Sequence, residues 1–353
     1  MSAQKGSGDG SVWSTGAGGE FPNGRAFAAL KEDGSVVTWG DARFGGDSSA
    51  VAGGLSSGVA DIFSTGSAFA ALKEDGSVVT WGSDFSGGDS SAVADELSGG
   101  VTRVFSAQNG FAALKTDGSL VTWGPGVSEP YSVAGDLSGG VTEVLSTASA
   151  FAALKEDGSV VTWGNSANGG DSSAVADDLS DAVTEIFSTQ AAFAALKEDG
   201  SVVMWGAGAP NFPATATTAE LSESVTNIFS DFSSFVALKE DGSVEELSLY
   251  SGGSIPITED VEEVVSTIAA FAALKGDGSV VTWGQDGWGG DSSTVADDLS
   301  GGVMELFSSG SAFAALKEDG SVVTWGDSDQ GGDSSAVAND LSNGVTQIFS
   351  TKT

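Results

Sequence analysis

Residues 141–164 read VTEVLSTASAFAALKEDGSVVTWG, three short runs of strand-forming residues separated by turn signals. That pattern predicts a three-stranded antiparallel meander. Along its second run Phe151 and Ala153 point one way, Ala152 and Leu154 the other, so both faces are apolar and each must be covered by something else. On the third run Val161 and Trp163 share a face opposite Val160 and Thr162. Asp157-Gly158 joins the two runs, and Asp-Gly between apolar runs predicts a type I′ hairpin turn, because Gly tolerates positive φ.

The same sentence is written eight times. Its Phe recurs at Phe27, Phe69, Phe111, Phe151, Phe193, Phe235, Phe271 and Phe313, a period of about 42 residues. A unit that cannot bury its own apolar faces must stack on its neighbours, so the period predicts a circular or stacked array. Short strands, tight hairpins and a long connection between units predict an all-β fold: a single β-propeller of about eight short blades, each of three to four strands. A seven-bladed ring and a flat solenoid are the alternatives. Residues 1–9 read as a disordered tail and 10–353 as the propeller.

The connection contains Gly-Gly-Asp-Ser-Ser at Gly45, Gly87, Gly169, Gly289 and Gly331. The four residues ahead of each Gly-Gly differ in every copy, so scaffold positions repeat while loop tips vary. Phe44, Phe85 and Trp288 at these tips are expected to cap their own blades. Two segments, Ser11–Gly16 and Gln347–Thr351, each copy the strand Asp61–Gly66, giving nine first strands for eight hairpins. One of them is expected to complete the ring or to pair on an outer edge.

With its V-x-x-(I/V)-(F/L)-S strand, its FAALKEDGSVVTWG hairpin and its GGDSS loop, the chain resembles the repeat of the regulator of chromosome condensation family. The Trp-Gly after the Asp-Gly hairpin is the most specific part, and the resemblance spans residues 10–350. In its short period the chain is similar to the bacterial propeller with three-stranded blades that inhibits β-lactamases. The resemblance implies a propeller that binds proteins through variable loops. Those relatives are seven-bladed, whereas eight hairpins are present here. The family's functional residues lie in variable loops, so none transfers to a position in this chain.

Composition narrows the chemistry. Against 49 acidic residues there are 13 basic ones, a formal charge of −36. Nucleic acid and anionic membrane surfaces are repelled by such a chain. Eight of the basic residues are the repeated hairpin Lys, Lys31 through Lys317, placed to support neighbouring carboxylates. There is no Cys and no His, which removes thiolate chemistry, the commonest general base and the commonest transition-metal ligand. The first residues, MSAQKGSGDG, lack the apolar stretch of a secretory signal, and no segment has the length of a membrane span. Each Gly-Gly-Asp-Ser-Ser offers one carboxylate without the spacing of a calcium loop, so its Asp reads as turn chemistry and neither a metal nor a cofactor is expected.

Three units break the repeat. After Trp123-Gly124 the loop becomes Pro125 to Tyr131, after Trp205-Gly206 it becomes Ala207 to Pro213, and the sixth unit replaces its Trp, reading VEELSLY from Val244 to Tyr250. Five of the six prolines and both tyrosines fall in these units. Proline stiffens loops and aromatic side chains give large contact area at low entropic cost, so Tyr131, Phe212, Tyr250, Pro125 and Pro210 are the candidate partner contacts. Glu245 joins them: it replaces an apolar residue on the face that carries Trp in other units, and a carboxylate there must find a Lys or a partner. The reading is a non-catalytic propeller binding a protein partner. A rigid module of a larger assembly and a carboxylate-dependent enzyme acting on sugars are the alternatives.

Overall fold

The computed structural model describes residues 23–125, 127, 135–206, 224–247 and 259–350. Every repeat forms its own antiparallel sheet, and the sheets follow one another in chain order. Blade 1 is the hairpin Ala26–Leu30 and Val36–Gly40. Blades 2 to 8 are three-stranded meanders beginning at Val59, Val101, Val141, Val183, Val225, Val261 and Val303. In blade 4 the strands are Val141–Ser146, Ala150–Lys155 and Val160–Gly164. The expectation of an all-β fold with eight propeller-type blades is met, and the broken sixth unit is folded as one of them, with Val225–Ser230, Phe235–Lys239 and Val244–Glu246.

The hairpin turn differs from expectation. Gly34 N–H donates to Lys31 O and Lys31 N–H to Ser35 O, with Gly34 at φ 72° while Asp33 keeps negative φ. A type I′ turn needs positive φ at both central residues; here a type I turn over Glu32-Asp33 is followed by a left-handed Gly that forms a bulge. Asp33 stays in place because its carboxylate accepts from Ser35 N–H at 3.0 Å and from Ser35 Oγ at 2.6 Å. The same bonds hold Asp75, Asp117, Asp157, Asp199, Asp277 and Asp319, and they draw each carboxyl below its ordinary range.

Successive blades come closest along their first strands. Between blades, the Ala/Leu/Val face of one sheet meets the Phe/Ala/Trp face of the next. Ala112, Leu114 and Leu120 of blade 3 pack on Val144, Phe151, Ala153 and Trp163 of blade 4, for example. Phe and Trp stack within a blade, as Phe151 and Trp163 do with ring centres 5.3 Å apart. The preceding connection supplies the floor. Gly45 has φ 94°, and a Cβ built there would lie 2.7 Å from the Phe69 ring of blade 2. The carbonyl of Gly45 accepts from Trp81 Nε1 at 3.0 Å, and Gly87, Gly169 and Gly289 accept likewise from Trp123, Trp205 and Trp325. Each of these four connections is thus part of the next blade's core.

A backbone ladder also runs from blade to blade. Gly66 N–H donates to Gln108 O, and the chain of bonds continues through Ala148, Gln190, Phe232 and Ile268 to Gly310.

Among the described residues seven apolar clusters join the eight blades, leaving two ends. Phe27 and Trp39 of blade 1 are 60% and 49% exposed, where their counterparts Phe69 and Trp81 are 5% and 4%. Residues 345–350, the spare first strand at the C-terminal end, join no sheet. The other spare strand, Ser11–Gly16, lies outside the described residues, as does the tail at 1–9.

Candidate interaction surface

The five ordinary connections build one pedestal. Each opens with a short 3₁₀ turn, at Ala42–Phe44, Asp84–Ser86, Ser166–Asn168, Asp286–Trp288 and Ser328–Gln330, and closes on a left-handed Gly. Behind the turn, Thr65 Oγ1 donates to Ser86 O at 2.9 Å and accepts from Ala68 N–H. Thr147 and Thr267 do the same in blades 4 and 7, and Ser309 in blade 8. At the base, Asp47, Asp89, Asp171, Asp291 and Asp333 each accept from the N–H two residues on, which is the turn role expected of them. Frames with the same turn, left-handed Gly and Asp base therefore present different tips.

At these tips Phe44 packs into the cluster between blades 1 and 2 and Trp288 into that between blades 7 and 8. Phe85 does not cap its blade. It stands 82% exposed, because it occupies the second position of its three-residue turn, whereas Phe44 and Trp288 occupy the third, which faces the core.

Of the contacts expected from sequence, Tyr131, Phe212, Tyr250 and Pro210 lie outside the described residues. Pro125 is exposed. Glu245 stands on the third strand of blade 6 opposite Ala237, and its carboxylate meets Lys239 Nζ at 2.6 Å. The Lys is found within its own blade, which resolves how a carboxylate sits on that face.

Around the three broken units the neighbouring residues have changed in step. In blade 3 Val127 is fully buried, and Gly110 stands where six other blades have Ala and blade 6 has Ser234; a Cβ at 110 would collide with the Val127 side chain. Blade 3 also has Ala107, and blade 6 Asp231, where the ordinary pedestal has its Thr. Asp231 is 3% exposed and accepts from the N–H groups of Ser233 and Ser234. Burial pushes its carboxyl up to about 6, against the pull of those two bonds and with a smaller push from Glu246.

The indoles record the missing glycines. Trp163 follows the broken connection of blade 3 and Trp283 that of blade 6, and both Nε1 groups are buried without a hydrogen-bond partner. After the third broken connection, that of blade 5, the expected Trp is Leu247, 4% exposed, which has no N–H to satisfy. Two indoles are orphaned and one has been replaced.

Along the first strands runs a column of equivalent positions: Asp61, Arg103, Glu143, Glu185, Asn227, Glu263 and Glu305. Burial raises the carboxyls of Glu143, Glu185 and Glu263, and Glu185 and Glu305 push those of Glu143 and Glu263 further. Among the described residues no group of three or more Asp, Glu, His or Cys is arranged to hold a metal ion. No helix among them is long and apolar enough to cross a membrane.

Two exposed features were missed in the sequence. Phe232 and Ile268, 41% and 36% exposed, are consecutive rungs of the interblade ladder, with Phe232 N–H donating to Ile268 O. The signal was available, since the corresponding positions elsewhere hold Gly66, Gln108, Ala148, Gln190 and Gly310, and only blades 6 and 7 place large apolar side chains there.

No protein-family model and no curated protein matches the chain. Solved structures similar to it include the computationally designed Ika8 protein, at 14% identity and TM-score 0.37, covering 88% of this chain and 96% of that one. Another is Prp20p from Saccharomyces cerevisiae, a structure described with its binding to Gsp1p and histones, at 16% identity and TM-score 0.37, covering 76% and 72%. A third is the ectodomain of the Physcomitrella patens receptor kinase CR4, at 14% identity and TM-score 0.38, covering 74% and 70%. At these values the likenesses carry no argument; the blade geometry described above does.

Proposed function

We propose that this chain is a non-catalytic, propeller-type binding scaffold that engages a protein partner through its variable loops. The observation that carries the reading is the repeated pedestal: five connections share a 3₁₀ turn, a left-handed Gly and an Asp base, and differ at tips that include the exposed Phe85 and Arg43. A rigid frame with interchangeable tips is how recognition loops reduce the entropy lost on binding. The repeated polar groups support the same view, because the hairpin and connection carboxylates are held in turns and the repeated indoles of blades 2 to 5, 7 and 8 in the core. Tyr131, Phe212, Tyr250, Pro125 and Pro210 of the broken units add rigid and aromatic contact area to the same scaffold.

Affinity capture from the source organism tests this, comparing the native chain with a variant whose Arg43 and Phe85 are Ser and whose Tyr131, Phe212 and Tyr250 are Ser. The reading predicts a captured protein that is lost with the variant while the melting temperature holds. Equal capture by both chains would overturn it.

A further inference from the structure

We infer that the two ends of the blade array are halves of one interface, and that a second copy of this chain joins them head to tail. The interface is already established seven times inside the molecule. Four of these instances, those that follow intact connections, have three parts: an aromatic pair on one blade, a connection glycine beneath it, and a first strand that completes the blade. Blade 1 presents the aromatic pair, Phe27 and Trp39 stacked at 5.3 Å and exposed with Val37 beside them. Among the described residues it has no first strand, and the edge of Ala26–Leu30 pairs with none of them.

The other end holds what blade 1 lacks. At Gly45, Gly87, Gly169 and Gly289 a Cβ would meet the next blade's Phe ring at 2.6 to 2.8 Å, whereas at Gly331 it meets nothing within 4 Å. The seat for a Phe is built and empty. Val345 N–H donates to Gly320 O at 2.9 Å, as Val59 does to Gly34 O at the start of blade 2, so a ninth first strand begins in the usual way. It then has no hairpin to join, and Phe349 is 83% exposed. By the register of blade 2, where Ser64, Phe63 and Ile62 face Phe69, Ala70 and Ala71, residues Ser350, Phe349 and Ile348 would face Phe27, Ala28 and Ala29 of the second copy. Phe27 would rest on Gly331, and Trp39 Nε1 would donate to Gly331 O.

Arginine is unevenly placed between the two ends, although blade 1 and its connection also carry Glu32, Asp33, Asp41 and Asp47. Blade 1 and its connection carry two of the chain's three arginines, Arg25 and Arg43, the latter paired with Asp41. The connection after blade 8 carries Asp327, Asp329, Asp333 and Asp340. Among the described residues Phe27 and Trp39 are exposed while nothing meets Gly331, so blades 1 and 8 of one chain are not packed on each other. Because one copy offers one of each half, the contact is heterologous and propagates unless the rotation closes it.

Sedimentation of the full chain over a concentration series tests the inference. The native chain should form species of rising mass, and Phe27→Asp with Trp39→Asp, or Ile348→Asp with Phe349→Asp, should each leave monomer with an unchanged melting temperature. Mixing the two blocked chains should give a species of twofold mass and nothing larger, since each retains one good end. Val12→Asp with Trp13→Asp, in the other spare strand, should leave association unchanged. A native chain that is monomeric throughout would overturn the inference. Shielding of Trp39 from acrylamide in that monomer would show closure within one chain, unless the Val12/Trp13 variant removes it, which would identify residues 11–16 as the occupant.

Discussion

Blade 2 and blade 6 are copies of one sentence, and the difference between them shows where the repeat stores its stability. In blade 2 the Thr65 hydroxyl caps a backbone N–H and donates to Ser86 O, and Trp81 lies on Gly45 with its indole bonded to the glycine carbonyl. In blade 6 Asp231 replaces the Thr, Leu247 replaces the Trp, and Lys239 pairs with Glu245. These changes are linked by the connections. Losing the Gly-Gly loop after blade 5 removes the floor and the acceptor for the blade 6 Trp, and losing it after blade 6 orphans Trp283 in blade 7. A break is felt one blade downstream of where it is written.

Truncation of the aromatic core is the largest way to probe that contrast. Trp81→Ala is expected to lower stability by about 3–5 kcal/mol in chemical denaturation, the range for removing a buried Trp. Trp163→Ala should fall in the same range, whereas Trp→Phe should separate the two sites. At 81 it leaves Gly45 O without its donor and should cost roughly 1–3 kcal/mol more than at 163, where no such bond exists. Equal costs would break the comparison.

Asp231 gives the next effect. Its folded carboxyl titrates near 6, above the ordinary 3.8, so folding takes up a proton between those values. The group's contribution is full below the unfolded value and is lost as pH rises through about 6. Asp231→Asn keeps the oxygen that caps Ser233 and Ser234, and should stabilise the protein at neutral pH by on the order of 2 kcal/mol. The advantage should vanish near pH 4, read from melting temperatures of both chains across pH.

A smaller effect lies at the start of the first strands. Gly58, Gly100 and Gly302 precede strands at φ 68°, 79° and 74°, but blades 5, 6 and 7 place Ala182, Ser224 and Asp260 there at φ 60°, 80° and 67°. Ala182→Gly should therefore stabilise by roughly 1 kcal/mol, the cost of a left-handed non-glycine residue. The smallest effect is predicted at the tips: Phe85→Ser should move stability by less than about 0.5 kcal/mol, since an 82% exposed side chain contributes little to packing.

Much of the fold was legible because its decisive signals are local and repeated. Alternating apolar faces, Asp-Gly turns and Trp-Gly ends specify a strand meander whose two faces need neighbours, and eight copies specify eight blades. The turn type was misread because Asp-Gly fits both a type I′ pair and the end of a type I turn with a bulge; the bonds of Lys31 and Gly34 decide between them. Phe85 was misread because its exposure depends on its place in a three-residue turn. Gly110, Asp231 and Leu247 carried signals as departures from the repeat, but their meaning is pairwise. Gly110 answers Val127, Asp231 stands where Thr donated to a connection since replaced, and Leu247 answers glycines lost in the connection before it. Tyr131, Phe212 and Tyr250 rest on the sequence reading alone.

The indole N–H resonances test most directly the claim that each intact connection between two blades forms part of the next blade's core. In a nitrogen-15 correlation spectrum with hydrogen exchange, Trp81, Trp123, Trp205 and Trp325 should be slow to exchange and shifted downfield, as hydrogen-bonded indoles are. Trp163 and Trp283 should be shielded from solvent yet lie upfield of those four, with no acceptor. If all six resonate and exchange alike, the glycine carbonyls are not what distinguishes intact from broken connections, and the account fails.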